Sequence, residues 1–284
     1  MTVHFTTVIS VAELQALPKS SVIFDTRFDL AAPESGRNAY LAGHIPGAQY
    51  LHLDEDLSGP KTGSNGRHPL PDRWRLAATL GNKGLHSTLG QQVVVYDEQA
   101  GMFAARAWWL LRWLGYGRVA VLDGGLGAWR GAGLPLESGV PDAPSAQFVP
   151  TPSLVGTVDT DTVLGGLSEP VVIDARSPDR YRGENETLDP AAGHIPGARN
   201  RFFKDNLRAD GRFKDVSQLR AEISQVLGDL RADKVIHQCG SGVTACHNLL
   251  AFEIAGLTGS RLYPGSWSEW VSNPDRPIAT GQPI

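Results

Sequence analysis

Cys239 is one of only two cysteines in the chain, and it stands where the run Val235-Ile236-His237-Gln238 breaks into Gly240-Ser241-Gly242-Val243-Thr244-Ala245. A thiol just before two glycines in three positions is placed for nucleophilic chemistry. Glycines lack a Cβ, so the backbone can curl until several N–H groups aim at one centre. The first N–H groups of a following helix have no partner within it, and the helix dipole adds partial positive charge there. Such a cradle favours a cysteine as its thiolate, and it would equally stabilise a persulfide, whose outer sulfur is also anionic. The elements that must position this sulfur are a strand before it and a helix after it. Ala245, Leu249 and Phe252 fall at i, i+4 and i+7, one helix face, and Gly256 is placed to end that helix.

The whole chain of 284 residues has room for two domains of ordinary size. With 41% hydrophobic and 20% charged residues it reads as soluble and globular. A formal net charge of −4 gives no electrostatic case for nucleic acid or an anionic membrane as partner. The first ten residues hold no basic n-region and no long apolar run, and no stretch approaches the roughly 20 apolar residues of a membrane span. These features, with a thiol that must stay reduced, lead us to expect the cytoplasm.

An internal repeat organises the chain. Gly43-His44-Ile45-Pro46-Gly47-Ala48 recurs unchanged as Gly193-His194-Ile195-Pro196-Gly197-Ala198, an offset of 150 residues. Upstream of each lies an Asp-x-Arg, at Asp25/Arg27 and Asp174/Arg176, and Val93-Val94-Val95-Tyr96-Asp97 matches the strand that ends at Cys239. Short β-branched strands alternating with helical patterns imply an α/β fold, each copy a mostly parallel sheet flanked by helices. The expected division is a first domain over 1–137, a Pro- and Ser-rich linker over 138–155, and a second domain over 156–284. Asp97 holds the position of Cys239 in the first copy, and Glu98-Gln99-Ala100-Gly101-Met102 does not read as a glycine cradle. The first domain is therefore expected to be catalytically inactive and to wall a cleft at the domain interface.

The repeat, the two Gly-His-Ile-Pro-Gly-Ala elements and the Cys-Gly-Ser-Gly-Val-Thr-Ala loop together resemble the tandem-domain rhodanese-type sulfurtransferases. The loop looks like the 3-mercaptopyruvate branch, since thiosulfate-specific members carry basic residues where this chain has Gly240 and Ser241. The resemblance implies a Cys239 persulfide that takes sulfur from 3-mercaptopyruvate, or alternatively from thiosulfate. The acceptor it implies is a small thiol, a thioredoxin-like protein or cyanide. It implies no cofactor and no metal. It also implies a Ser-His-Asp relay of Ser241, His68 (in Gly66-Arg67-His68-Pro69-Leu70-Pro71) and Asp54, with Glu55 or Asp56 open as the acidic member. The N–H groups of Gly240, Gly242, Val243 and Thr244 would hold the sulfur. Arg180 matches the family's carboxylate-binding arginine, a role suited to a guanidinium. The family's second arginine, nine residues on, is missing: this chain reads Thr187-Leu188-Asp189, leaving Arg182, Arg199 or Arg201 as substitutes.

Other residues read as structural. Asp25/Arg27 and Asp174/Arg176 should tie strand ends to loops, His44 and His194 recur as fold residues, and Cys246 belongs to a core. Trp108, Trp109 and Trp113 read as packing, and Tyr96 as facing the cleft. A phosphatase of the same fold would need Cys-x5-Arg, which Ala245 and Cys246 exclude.

Overall fold

The run Val93-Val94-Val95-Tyr96 is buried along its whole length. A strand without polar alternation needs cover on both faces, which is the condition of a parallel sheet packed between helices. The computed structural model, which describes residues 4–166 and 171–281, has that architecture twice. The first sheet contains β1 (Val8–Ile9), β2 (Val22–Asp25), β3 (Gln49–Tyr50), β4 (Val93–Tyr96) and β5 (Val119–Leu122). Its order is β1-β5-β4-β2-β3, every pair parallel. The second contains β6 (Gly156–Thr157), β7 (Val172–Asp174), β8 (Arg199–Asn200), β9 (Ile236–Gln238) and β10 (Arg261–Leu262). Its order, β6-β10-β9-β7-β8, is the same topology, again all parallel. The duplication therefore extends from motifs to strand order.

In both sheets the chain leaves β2 (or β7) for one neighbour and returns on the other side as β4 (or β9). The carboxyl ends of that pair form a switch point, where open α/β sheets bind ligands. Asp97 and Cys239 directly follow β4 and β9.

Helices α1 (Val11–Gln15), α2 (Glu34–Ala42), α3 (Arg73–Asn82), α4 (Ala104–Trp113) and α5 (Gly125–Gly131) belong to the first unit. Helices α6 (Thr160–Gly165), α7 (Pro178–Arg182), α8 (Val216–Leu227), α9 (Thr244–Ile254) and α10 (Ser266–Trp270) belong to the second. Ile9, Ile45, Val94, Leu122 and Trp129 share the first core; Val172, Ile195, Ile236, Trp267 and Trp270 share the second. Helix α9 departs from the expected one-faced pattern: Ala245 through Phe252 are all buried.

The packed units interleave along the chain. Residues up to 59, 71–154 and 210–212 form the first; residues 60–70, 155–209 and 213 onward form the second. The stretch expected to be a linker runs along the first unit. Gln49 Nε2 donates to Pro141 O at 2.9 Å, and Val149 N to Ser87 Oγ at 2.7 Å. The eleven residues at 60–70 carry His68 into the second unit, which the contiguous boundaries at 137 and 156 did not foresee.

The paired Asp-x-Arg motifs are built alike. Arg27 grips Asp25 through Nε and Nη2 and donates to Gly43 O, while Arg176 does the same to Asp174 and Gly193 O. His44 stacks on Tyr40 and His194 on Tyr181, each with Nδ1 on that tyrosine's carbonyl. Trp108 and Trp109 are fully buried and Trp113 half-buried. Tyr96 is a correction: it is fully buried in the first core, donating to Asp25 Oδ2 at 2.8 Å and accepting from Ile45 N at 3.1 Å.

Candidate active site

Four of the ten α-helices among the described residues carry a side-chain cap; α4 and α9, like α2, α5, α7 and α10, do not. Ser10, Asp72, Asp159 and Asp215 cap α1, α3, α6 and α8 with a side-chain oxygen, which satisfies one orphan N–H. Helices α4 and α9 start at Phe103 and Val243 with no side-chain cap. Their first N–H groups are left to whatever the preceding loop holds.

In the first unit that occupant is visible. Asp97 accepts from Gln99 N (2.9 Å) and Gly101 N (2.8 Å) on Oδ1, and from Phe103 N (2.8 Å) and Ala104 N (3.0 Å) on Oδ2. The expectation that this loop lacks a cradle is thus corrected: Ala100 at φ 56° and Gly101 at φ 85° bend it into one. Burial pushes the Asp97 carboxyl above its ordinary value, and the four N–H groups pull the other way. Both oxygens already accept two N–H groups, which leaves no place for a carboxyl proton, so the geometry is that of the carboxylate.

In the second unit Cys239 takes the same position. It is 2% exposed, and α9 begins five residues later, against seven in the first unit. No acceptor among the described residues takes the N–H groups of Gly240, Ser241, Val243 or Thr244. Gly242 makes the bend at φ +77°, where a Cβ would lie 2.3 Å from Pro264 O, so only glycine fits. The turn into α10 fixes the loop from below. Trp267 N donates to Cys239 O at 3.0 Å, Ser268 N to Gly240 O at 2.9 Å, and Cys239 N to Ser266 Oγ at 3.1 Å. Ser266 holds this position at φ 54°, a strained region for a side-chain-bearing residue.

His68 and Ser241, 173 residues apart, meet with Nδ1 and Oγ 2.7 Å apart, both buried. The segment carrying His68 is docked by its neighbours. A Cβ on Gly66 would lie 2.7 Å from Gly265 O, and Arg67 N donates to Ser268 Oγ at 2.9 Å. Asp54 lies in the first unit, in the turn after β3, where its N–H donates to His52 Nδ1 at 3.2 Å. Glu55 is ion-paired with Arg37, and Asp56 accepts from His52 N.

Arginines crowd the rim of the loop. Arg176 is buried, stacks over Trp267 at 4.6 Å and pairs with Asp174. Burial pulls its pKa down, but Asp174, Glu186 and Cys239 together hold it above the ordinary value. Arg180 does not stand open as the sequence suggested. Its Nε and Nη2, the edge that grips a carboxylate with two bonds, are taken by Glu186 at 2.8–3.1 Å. Burial raises the Glu186 carboxyl, yet Leu188 N–H and Arg180 bring it below its usual range. The three substitutes are committed elsewhere: Arg182 to Glu184, Arg199 to the carbonyls of Val226 and Leu227, Arg201 to Asn206 and Glu222.

Sequence reading missed two polar residues buried in β9. His237 packs edge-on against Phe252 with neither ring nitrogen hydrogen-bonded, and burial lowers its pKa to about 3. Gln238 occupies the place of Tyr96, and its amide has no partner among the described residues. Away from the loop, Glu34, His52 and Glu55 bring their ligand atoms within 4.8 Å of one another. Arg37 already pairs with both glutamates, and His52 Nδ1 accepts two backbone N–H groups, which leaves the proton on Nε2. That is a poor donor set for a metal.

The profile of the rhodanese-like domain family matches residues 10–132 and 160–273. The chain is 48% identical over 264 residues to a probable 3-mercaptopyruvate sulfurtransferase of Pseudomonas aeruginosa, covering 92% of each chain. It is 38% identical over 286 residues to the putative thiosulfate sulfurtransferase SseB of Mycobacterium tuberculosis, covering 96% of each. Among solved structures it superposes on 3-mercaptopyruvate sulfurtransferase from Leishmania major with a TM-score of 0.84 at 29% identity, covering 98% of this chain and 77% of that one.

Proposed function

The chain belongs to the rhodanese-like domain family and is a sulfurtransferase, and we propose that it draws sulfur from 3-mercaptopyruvate through a persulfide on Cys239. The observation that carries this reading is the 2.7 Å contact between Ser241 and His68, two residues beyond the cysteine. Cleaving the C–S bond of a mercapto-keto acid leaves an enolate that must be protonated, whereas thiosulfate releases sulfite and needs no proton at carbon. A hydroxyl coupled to an imidazole serves the first donor.

The Cys239 thiolate attacks the donor sulfur, the C–S bond breaks, and its electron pair passes to the pyruvate enolate. Ser241 then relays a proton to that carbon from His68, with Asp54 proposed as the acidic partner. The persulfide's outer sulfur lies among the N–H groups of Gly240, Gly242, Val243 and Thr244. Arg180 Nη1, on the side of its guanidinium that Glu186 leaves open, faces the rim of the same loop. An acceptor thiolate or cyanide attacks the outer sulfur and returns Cys239 as thiolate. The first domain, proposed over 1–137, carries no sulfur, because Asp97 fills its cradle. Among the described residues no helix is long and apolar enough to cross a membrane, and we place the enzyme in the cytoplasm, with a small thiol or thioredoxin-like protein as acceptor.

Thiosulfate is the second reading, favoured by the arginines at the rim and by the 38% identical relative. Comparing kcat/KM for the two donors separates them. With the keto acid preferred, Ser241→Ala lowers its turnover about 100-fold and thiosulfate turnover far less. Cys239→Ser abolishes both, and mass spectrometry of donor-treated wild type finds one extra sulfur on Cys239. Equal losses with both donors in Ser241→Ala would remove the relay.

A further inference from the structure

We infer that the second unit holds an internal water molecule against the amide of Gln238, at the place that the Tyr96 hydroxyl takes in the first unit. This water completes a polar nest directly behind Cys239. The two nests differ at one side chain, so what the first does with a protein hydroxyl the second does with solvent.

In the first unit the Tyr96 hydroxyl satisfies two buried groups at once, donating to Asp25 Oδ2 at 2.8 Å and accepting from Ile45 N at 3.1 Å. The second unit copies the surroundings closely. Gln238 pairs with Asp174 in the register that Tyr96 has with Asp25. Ala175 N donates to Gln238 O at 2.9 Å, as Thr26 N does to Tyr96 O at 2.8 Å. Ala198 N donates to Ile195 O at 3.0 Å, as Ala48 N does to Ile45 O at 2.9 Å. Asp174 Oδ2 accepts from Arg176 Nε at 3.0 Å and Nη2 at 2.6 Å; Asp25 Oδ2 accepts from the same atoms of Arg27 at 2.9 and 2.6 Å.

Only the bridging hydroxyl is not copied. Both polar atoms of the Gln238 amide are buried without a partner, and Ile195 N–H meets no acceptor among the described residues. Gln238, Asp174 and Ile195 are all fully buried. Buried polar groups are costly to leave unpaired, and native structures meet them with ordered water where protein atoms do not reach. Glutamine stops short of the place a phenolic oxygen reaches, and it is the smaller side chain by more than about 30 Å³, the share of one water. A water there accepts from Ile195 N–H, donates to Asp174 Oδ2 and meets the amide with a third bond, the usual complement of a buried water. The bridge bears on the sulfur through a short chain of contacts. Asp174 holds Arg176, Arg176 packs over Trp267, and Trp267 N donates to Cys239 O.

The test is a high-resolution crystal structure of the wild type, joined to thermal unfolding of Gln238→Tyr. The expected density is a peak within about 3.2 Å of Ile195 N, Asp174 Oδ2 and one atom of the Gln238 amide. Gln238→Tyr puts back the first unit's hydroxyl. It should bond Asp174 and Ile195 directly, displace the water and raise the thermal midpoint by a few degrees, because an immobilised water is released. A wild-type structure without that peak, in which the amide oxygen accepts directly from Ile195 N–H, would overturn the inference. A lower midpoint in Gln238→Tyr would overturn it as well, since the place would then not be the one a tyrosine hydroxyl takes. Neither outcome depends on which sulfur donor the enzyme uses.

Discussion

Replacing Asp97 with asparagine tests whether the first unit's cradle is a true anion site. The carboxylate accepts four backbone N–H groups at 2.8–3.0 Å, two on each oxygen, in a fully buried position. Asparagine retains one acceptor oxygen and turns an NH2 group toward the other two donors. Two buried N–H groups then lose their acceptor, at about 1–3 kcal/mol each, so about 2–6 kcal/mol in all. Against the roughly 5–15 kcal/mol that holds a domain together, this is a large fraction. Five of the seven tryptophans lie in the first unit (Trp74, Trp108, Trp109, Trp113 and Trp129), so urea unfolding followed by tryptophan fluorescence reports mainly on it. With an m-value of about 2 kcal/mol per molar urea, the midpoint should fall by about 1–3 M. A midpoint within about 0.3 M of wild type would refute the reasoning, since four bonds to a buried carboxylate cannot be exchanged for two at no cost.

Two further outcomes are expected. Gly66→Ala drives a Cβ to 2.7 Å from Gly265 O at a residue with φ +84°, so it should displace His68, lower turnover at least tenfold and bring the thermal midpoint down by a few degrees; unchanged kcat would show that the 60–70 segment adapts. His237 is neutral when folded, with a pKa of about 3 against an ordinary 6.5, so below pH 6.5 the unfolded chain binds a proton that the folded chain does not. Its contribution is complete above pH 6.5 and lost as pH falls, by about 2 kcal/mol at pH 5. His237→Phe should therefore flatten the fall in stability between pH 7 and 5 in urea titrations, and an unchanged slope would exclude His237 as its source.

What the sequence made legible was whatever is local in the chain. The Cys239 loop, the repeat, the paired Asp-x-Arg motifs and the strand–helix alternation are each set by residues within about ten positions of one another. His68 needed a family pattern, because its partner is 173 residues away and nothing in Gly66-Arg67-His68 encodes that distance. Arg67 lies against the loop through the same docking of Gly66 on Gly265, a placement that no spacing along the second repeat encodes. Asp97 was read by residue type, and its cradle was overlooked because backbone N–H groups, not glycines, make it; Ala100 adopts a left-handed turn there without being glycine. Arg180 lies at the rim of the loop, and its pairing with Glu186 depends on rotamers that no spacing rule supplies.

Gly125 and Ser266 hold equivalent turns, each just before the N–H that bonds the carbonyl of Asp97 or Cys239, and both are left-handed at φ 56° and 54°. Glycine adopts that shape freely, whereas serine gives up about 1–2 kcal/mol to do so. What the hydroxyl returns is a fixed main chain under the nucleophile, through its bond to Cys239 N–H. Ser266→Gly would relieve that strain but leave the buried Cys239 N–H without its acceptor, at about 1–3 kcal/mol, so heat challenge alone should retain the serine. The same bend is thus built twice, and only beneath the reactive sulfur does the chain tolerate a side chain in it.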